Sequence, residues 1–146
     1  MEQKNNQHFM QLAIEASKLS NDPSTKVGCV IVNKEGKVIS SGCNNFPKRT
    51  KEGDFSWKRD GEWIDSKYPY VVHAEMDAIL KAHTDLSGCS LYVTLASCNN
   101  CALAISQSGI SNVYYLDDKY HDDKVFAAAR KIFEKSHIKV QQIKLD

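Results

Sequence analysis

Two short clusters in the sequence carry side chains that bind metals and transfer protons. The first is His-Ala-Glu at residues 73–75, and the second is Cys-Asn-Asn-Cys at residues 98–101. Cysteines three apart on a helix face the same way. Two thiolates at a helix N-terminus also lie at the positive end of its dipole, which favours the charged form that a metal requires. His73, Cys98 and Cys101 are therefore three candidate ligands for a tetrahedral zinc ion.

Three protein ligands leave the fourth zinc position to water, which is typical of catalytic rather than structural sites. Zinc lowers the pKa of such a water to about 7, so that hydroxide is available at neutral pH. Glu75 lies two residues from His73 and is the candidate proton shuttle. The pattern therefore predicts an enzyme that carries out zinc-dependent hydrolysis.

Two other classes of protein use the same residue types. A Cys-x-x-Cys pair between a strand and a helix also occurs in thioredoxin-like oxidoreductases. Here, however, Ala96 and Ser97 precede the pair, and the His-Ala-Glu cluster would have no role in redox chemistry. A non-enzymatic binding module could also use the three ligands for folding alone. The joint occurrence of both clusters favours the zinc hydrolase.

Length and composition predict an ordinary globular protein with one domain over residues 1–146. The 19 basic and 18 acidic residues give a net charge of +1, which disfavours binding to long nucleic acid. No apolar run reaches the roughly 20 residues of a membrane span, and no apolar secretory segment is visible near the N-terminus. The five cysteines are an odd number, which disfavours a disulfide framework. We expect a cytoplasmic location and no membrane partner.

Helical and strand-like segments alternate along the chain. Apolar spacing predicts a first helix between Phe9 and Leu19, and residues 27–32 and 38–39 predict a hairpin. Further helices are predicted at residues 73–83, 98–108 and 125–133, and further strands at residues 91–95, 113–116 and 138–140. Residues 42–69 show no period and predict a long functional loop. The alternation favours an α/β fold whose sheet has helices on both faces.

The two clusters resemble the zinc-dependent nucleobase deaminases, whose pattern is His-x-Glu followed by Pro-Cys-x-x-Cys. Residues 22–28, 67–76, 88–93 and 118–122 narrow the resemblance to the deoxycytidylate (dCMP) deaminase family. It implies a three-layer α/β/α cytidine-deaminase-like fold around a five-stranded mixed sheet. It also implies a Zn²⁺ cofactor and a homo-oligomer, either a dimer or a hexamer.

The resemblance further implies hydrolysis of dCMP to dUMP and ammonia, with zinc-activated hydroxide attacking C4 of cytosine while Glu75 transfers the protons. By position, Asn44 would contact the sugar hydroxyl and the Ala74 backbone amide the base carbonyl. Lys26 is a candidate for the substrate phosphate, and Tyr120 for the pocket lining. Another cytosine nucleoside or nucleotide, or a tRNA base, is an alternative substrate, although the near-neutral charge disfavours RNA.

The sequence departs from the family pattern at two places. Ser97 stands where the family has a proline before the first zinc cysteine, and we expect it to cap the following helix and to leave zinc binding intact. Cys43 and Asn45 replace a tyrosine and a glycine of a family stretch linked to nucleotide regulation. We therefore expect hyperbolic kinetics with little response to dCTP or dTTP.

Overall fold

A computed structural model describes residues 2–146, so Met1 of the predicted domain lies outside the described residues. The described part contains five strands and four α-helices. The strands are β1 (Gly28–Val32), β2 (Val38–Cys43), β3 (Ser90–Leu95), β4 (Asn112–Asp117) and β5 (Lys139–Gln142). The helices are α1 (Glu2–Ser17), α2 (Ala74–Ala82), α3 (Asn99–Ser108) and α4 (Lys124–Lys135). A short 3₁₀ helix spans Trp63–Asp65.

The strands form one mixed sheet in the order β2-β1-β3-β4-β5. β1 pairs antiparallel with β2, which confirms the predicted hairpin, and antiparallel with β3. The pairs β3–β4 and β4–β5 are parallel, and each connection crosses over through a helix. The predicted five-stranded mixed sheet is therefore confirmed.

Helices cover both faces of this sheet. All five residues of β1 are buried, and their side chains alternate between two apolar clusters. Cys29 and Ile31 belong to the cluster on the α2, α3 and α4 side, whereas Val30 and Val32 pack with Met10 of α1. The result is the expected three-layer α/β/α arrangement. Among residues 2–146, no helix combines the length and apolar character needed to cross a bilayer.

The two helices that follow the sequence clusters begin where the clusters lie. His73 is the N-cap residue of α2, and Cys98 is the N-cap residue of α3. Gly109 ends α3 in the left-handed conformation with φ 90°, which glycine adopts without steric cost. The expectation that Ser97 caps α3 is wrong. Because the helix begins one residue later, with Cys98 as its N-cap, Ser97 lies outside the capping position, and its hydroxyl donates instead to the buried Glu75 carboxylate.

The long loop begins at residue 44, later than predicted, because β2 continues to Cys43. Its two ends are paired with each other: the Asn45 N–H donates to the Val72 carbonyl at 3.2 Å, and the Val72 N–H donates back at 2.8 Å. Within the loop, Phe46 stacks on Trp57 with ring centroids 4.0 Å apart. The loop therefore closes on itself immediately before His73.

Candidate active site

The three predicted metal ligands converge at the neighbouring N-terminal ends of α2 and α3. His73 Nδ1 lies 3.2 Å from Cys101 Sγ and 3.6 Å from Cys98 Sγ. The ligand atoms of the three residues all lie within 4.8 Å of one another. Cys101 is buried, Cys98 is half-buried and His73 is exposed, so the cluster is accessible from one side.

This geometry fits a tetrahedral zinc ion. Zinc binds imidazole nitrogen at about 2.0–2.1 Å and thiolate sulfur at about 2.3 Å, which places two such ligand atoms about 3.6 Å apart across a tetrahedral angle. The two nitrogen–sulfur distances of 3.2 and 3.6 Å are close to that value. Nitrogen and sulfur are also the ligand types that zinc prefers in proteins. The residues present therefore suit the metal.

Without metal, Cys98 and Cys101 share one hydrogen bond, which shifts the pKa values of the two thiols in opposite directions. The hydrogen bond from Cys101 lowers the pKa of Cys98 to about 4, against the opposing effect of burial and with help from His73. The same hydrogen bond, followed by burial and the charge of Glu75, raises the pKa of Cys101. The hydrogen bond with Cys98 raises the pKa of His73. Zinc binds cysteine as the thiolate, so zinc binding to these two sulfurs would release the proton of Cys101.

Glu75 lies in the first turn of α2, and its carboxylate is buried beside the ligand cluster. Only 4% of the residue is exposed. Burial raises the pKa of Glu75, while the charge of His73 and the hydrogen bond from Ser97 oppose that rise. A carboxyl group whose pKa moves towards neutrality can both hold and release a proton at the working pH. Glu75 is thus suited to transfer protons.

Asn44 is held tightly next to the segment that leads into His73. Its Oδ1 accepts from the Val27 N–H at 2.8 Å, and its Nδ2 donates to the Thr25 carbonyl at 2.9 Å and to Asp22 Oδ2 at 3.4 Å. Both Nδ2 protons are therefore engaged. An amide oxygen has two lone pairs, so Oδ1 keeps one acceptor position.

The other three predicted substrate-binding residues, Ala74, Lys26 and Tyr120, are less tightly held by hydrogen bonds than Asn44. Ala74 is the first residue of α2, so its N–H has no acceptor within the helix. Lys26 is exposed and donates to the Ser20 carbonyl at 2.9 Å. Tyr120 is 40% exposed and its ring stacks on that of Phe126.

A buried ion pair beside Asn44 was not predicted from the sequence. Lys67 Nζ lies 2.5 Å from Asp22 Oδ2, and the two side chains are 8% and 1% exposed. The other carboxylate oxygen of Asp22 accepts from the N–H groups of Ser24 and Thr25. An aspartate before Pro-Ser-Thr is a turn signal, but a single sequence gives no sign of its partner 45 residues away.

The ligand cluster and the buried carboxylate, on an α/β/α scaffold, have the arrangement of a zinc-dependent hydrolase. A family model described as the cytidine and deoxycytidylate deaminase zinc-binding region matches residues 3–117. Deoxycytidylate deaminase from Homo sapiens is 44% identical over 129 residues, which cover 87% of this chain and 72% of the human protein. The Mus musculus enzyme is 44% identical over 130 residues, which cover 88% of this chain and 73% of that protein.

A solved structure supports the same fold. The dCMP deaminase from the cyanophage S-TIM5, crystallised with dCMP and dUMP, superimposes with a TM-score of 0.77 at 24% identity. The match covers 97% of this chain and 98% of the phage protein. This chain therefore belongs to the cytidine and deoxycytidylate deaminase family, and zinc is its cofactor.

Proposed function

We propose that this chain hydrolyses dCMP to dUMP and ammonia. The observation that carries the proposal is the convergence of one imidazole and two thiols beside a buried carboxylate. The relatives that are 43–44% identical over most of the chain are deoxycytidylate deaminases, which favours a deoxynucleotide substrate over a tRNA base. His73, Cys98 and Cys101 are the proposed zinc ligands, and Glu75 is the proposed proton shuttle.

Bound zinc would supply a Lewis acid that activates water for attack on C4 of the cytosine ring. Glu75 takes up a proton from the attacking water and donates it to N3 of the base as the C4–O bond forms. It then takes up the proton of the new C4 hydroxyl and donates it to the amine as the C4–N bond breaks and ammonia leaves. The Ala74 N–H donates to the base carbonyl, because it points out of the first turn of α2 without an intrahelical acceptor. The proton transfers therefore depend on the position of a single carboxylate.

The hydrogen bonds of Asn44 determine how it can meet the sugar. Both of its Nδ2 protons are engaged, so a sugar hydroxyl would have to donate to Oδ1 rather than accept from Nδ2. Lys26 remains a candidate for binding the phosphate, because its ammonium group would lose only one hydrogen bond, the one to the Ser20 carbonyl, on turning to the substrate. Tyr120 remains a candidate for the pocket lining, because its exposed ring follows β4 in the loop that also carries Asp118.

Ammonia release from dCMP, deoxycytidine and CMP tests the substrate. We expect kcat/KM to be highest for dCMP, with deoxycytidine limited by the missing phosphate. A preference for deoxycytidine would overturn the nucleotide assignment, and a preference for CMP would overturn the deoxyribose assignment. Addition of dCTP or dTTP to the same assay tests regulation, and we expect the dCMP saturation curve to stay hyperbolic.

We infer further that the chain works as a homo-oligomer, a dimer or a hexamer, formed from a single domain over residues 1–146. Leu80 of α2 and Leu103 of α3 are 64% and 54% exposed, and a second copy could cover them. A cytoplasmic location is consistent with the five cysteines, which are all free. Light scattering measures the oligomer, and a purely monomeric species at assay concentration would contradict it. Cell fractionation tests the location.

A further inference from the structure

A buried hydrogen bond connects the residue before the first zinc cysteine to the proposed proton shuttle. The Ser97 hydroxyl donates to Glu75 Oε2, with the two oxygens 2.6 Å apart. The two residues are only 5% and 4% exposed. A hydroxyl that donates to a carboxylate at this distance makes a charge-assisted hydrogen bond, which is stronger than a bond between neutral groups.

The bond spans the two halves of the active site. Ser97 lies between the end of β3 and the start of α3, whereas Glu75 lies in the first turn of α2. On one side of the bond, His73 precedes Glu75 by two residues; on the other side, Cys98 follows Ser97 directly. The bond thus connects the helix start that carries the imidazole to the helix start that carries the thiols.

The hydroxyl is not needed to begin α3. Cys98, and not Ser97, is the N-cap residue of this helix. A proline at position 97, as in the family pattern, could offer no donor to Glu75, so the bond depends on the serine of this chain. Ser97 therefore has a polar role directed at the carboxylate and separate from helix initiation.

We propose that Ser97 is a positioning residue for the deamination, whose hydroxyl holds the Glu75 carboxylate in the orientation from which it exchanges protons with the base. The inference rests on the proposed function and deepens it. A free glutamate side chain samples many rotamers, and anchoring one of its oxygens removes most of them before substrate binds. The benefit falls on proton transfer, so kcat depends on Ser97 more than KM does.

Substitutions at position 97 separate positioning from structure. In the zinc-loaded protein, Ser97→Ala is expected to lower kcat for dCMP, expressed per bound zinc, by about ten- to a hundredfold and to change KM less than about twofold. Ser97→Thr keeps a hydroxyl and should recover most of the rate, whereas Ser97→Pro lacks a donor and should resemble Ser97→Ala. The matched control is Ser87→Ala, which removes a hydroxyl–carboxylate bond of 2.8 Å to the exposed Asp85 and should leave kcat unchanged.

The Glu75→Ala background tests whether Ser97 acts through Glu75. If it does, adding Ser97→Ala to Glu75→Ala should not lower the residual rate further, because the group that Ser97 positions is already gone. Full additivity of the two losses would overturn the proposal. A wild-type kcat per bound zinc in Ser97→Ala, or a loss that Ser97→Thr fails to restore, would also overturn it.

A readout without turnover distinguishes failure of this inference from failure of the proposed function. Urea unfolding of the zinc-loaded wild type, both single Ala variants and the double variant measures the coupling between Ser97 and Glu75 directly. Absence of coupling would overturn the inference even if dCMP is the substrate. Clear coupling in a protein that releases no ammonia from dCMP would overturn the proposed function and, with it, the assigned role of Ser97 in dCMP turnover.

Discussion

Two polar clusters lie close together in the fold. They differ in whether their polar atoms are available to a ligand or already have partners within the protein. At the ends of α2 and α3, the imidazole and the two thiols contact one another at distances that a zinc ion would bridge. In the neighbouring cluster, Asp22 is surrounded by donors from Lys67, Asn44 and two backbone N–H groups. The first cluster is arranged for a ligand, whereas the Asp22 carboxylate at the centre of the second already has its donors from the protein.

The difference shows how a buried polar group can be assigned a role. Among the side chains of residues 4–146, every buried nitrogen and oxygen has a hydrogen-bond partner. Burial alone therefore does not single out the active site. Lone pairs of soft donor atoms that point at a common centre do, because only a metal can bind all of them at once. Substitutions in the two clusters and at one surface ion pair test this contrast.

Cys98→Ala should abolish zinc binding and with it the activity. Removal of one of three ligands leaves two, which do not hold zinc at ordinary concentrations. Metal analysis of the purified protein should fall from about one zinc per chain to near zero. Cys89→Ala is the matched control, because Cys89 is a core residue that is only 3% exposed and lies outside the ligand cluster. The Cys89→Ala variant should still bind about one zinc per chain. Unchanged zinc with a loss of disulfide exchange alone would favour the thioredoxin-like alternative.

Glu75→Ala should leave zinc near one per chain and lower kcat for dCMP by about 10²–10⁴-fold, the usual contribution of a general acid–base group. Zinc is retained because Glu75 is absent from the three-residue ligand cluster. Ammonia release and metal analysis on the same sample make the test. Retained turnover would remove Glu75 as the proton shuttle.

Lys67→Met should lower the free energy of unfolding by about 3–5 kcal/mol, because it leaves the Asp22 carboxylate buried without its counter-ion. Urea unfolding measures the loss. The double variant Lys67→Met with Asp22→Asn should recover part of it, since the buried charge is then gone as well. If Lys67→Met changes the free energy of unfolding by less than about 1 kcal/mol, the Asp22 carboxylate does not depend on Lys67 as its buried counter-ion.

Lys18→Ala should change the free energy of unfolding by less than about 1 kcal/mol. Lys18 and Glu15 form an ion pair at 3.2 Å on the surface of the first helical segment, with side chains 65% and 54% exposed. Water and dissolved ions screen an exposed ion pair, so the Lys18–Glu15 pair contributes much less to the free energy of unfolding than the buried Lys67–Asp22 pair does. A loss as large as that of Lys67→Met would remove the contrast between the two ion pairs.

Local patterns in the sequence predicted most of the elements. Apolar periodicity located the helices and strands, and the main differences were at the ends, such as β2 reaching Cys43 where the loop was predicted to start at residue 42. The helix predicted at residues 98–108 ends where expected, because Gly109 adopts the left-handed conformation that favours glycine. These features depend on neighbours along the chain, so one sequence contains them.

The role of Ser97 could not be inferred in the same way. Serine before a helix suggests a cap, and that interpretation was wrong because the buried Glu75 carboxylate, 22 residues earlier, is the acceptor. The Asp22–Lys67 ion pair was not predicted for the same reason, because its two partners are 45 residues apart in the sequence. Neither contact has a spacing rule, because the distance along the chain between two partners in space is set by topology.

One amino-acid sequence was enough to indicate the candidates for the chemistry: an imidazole and a carboxylate two positions apart, and two thiols at helical spacing. Those spacings are short, and the geometry of one helical turn is enough to interpret them. Three further contacts depend on the folded chain: the two clusters meet, the Ser97 hydroxyl donates to Glu75, and Lys67 pairs with Asp22. Such contacts arise when α2 and α3 pack side by side on one face of the sheet and the long loop closes before His73. Their physical origin is the burial of apolar surface, which brings distant segments together and obliges their polar groups to find partners.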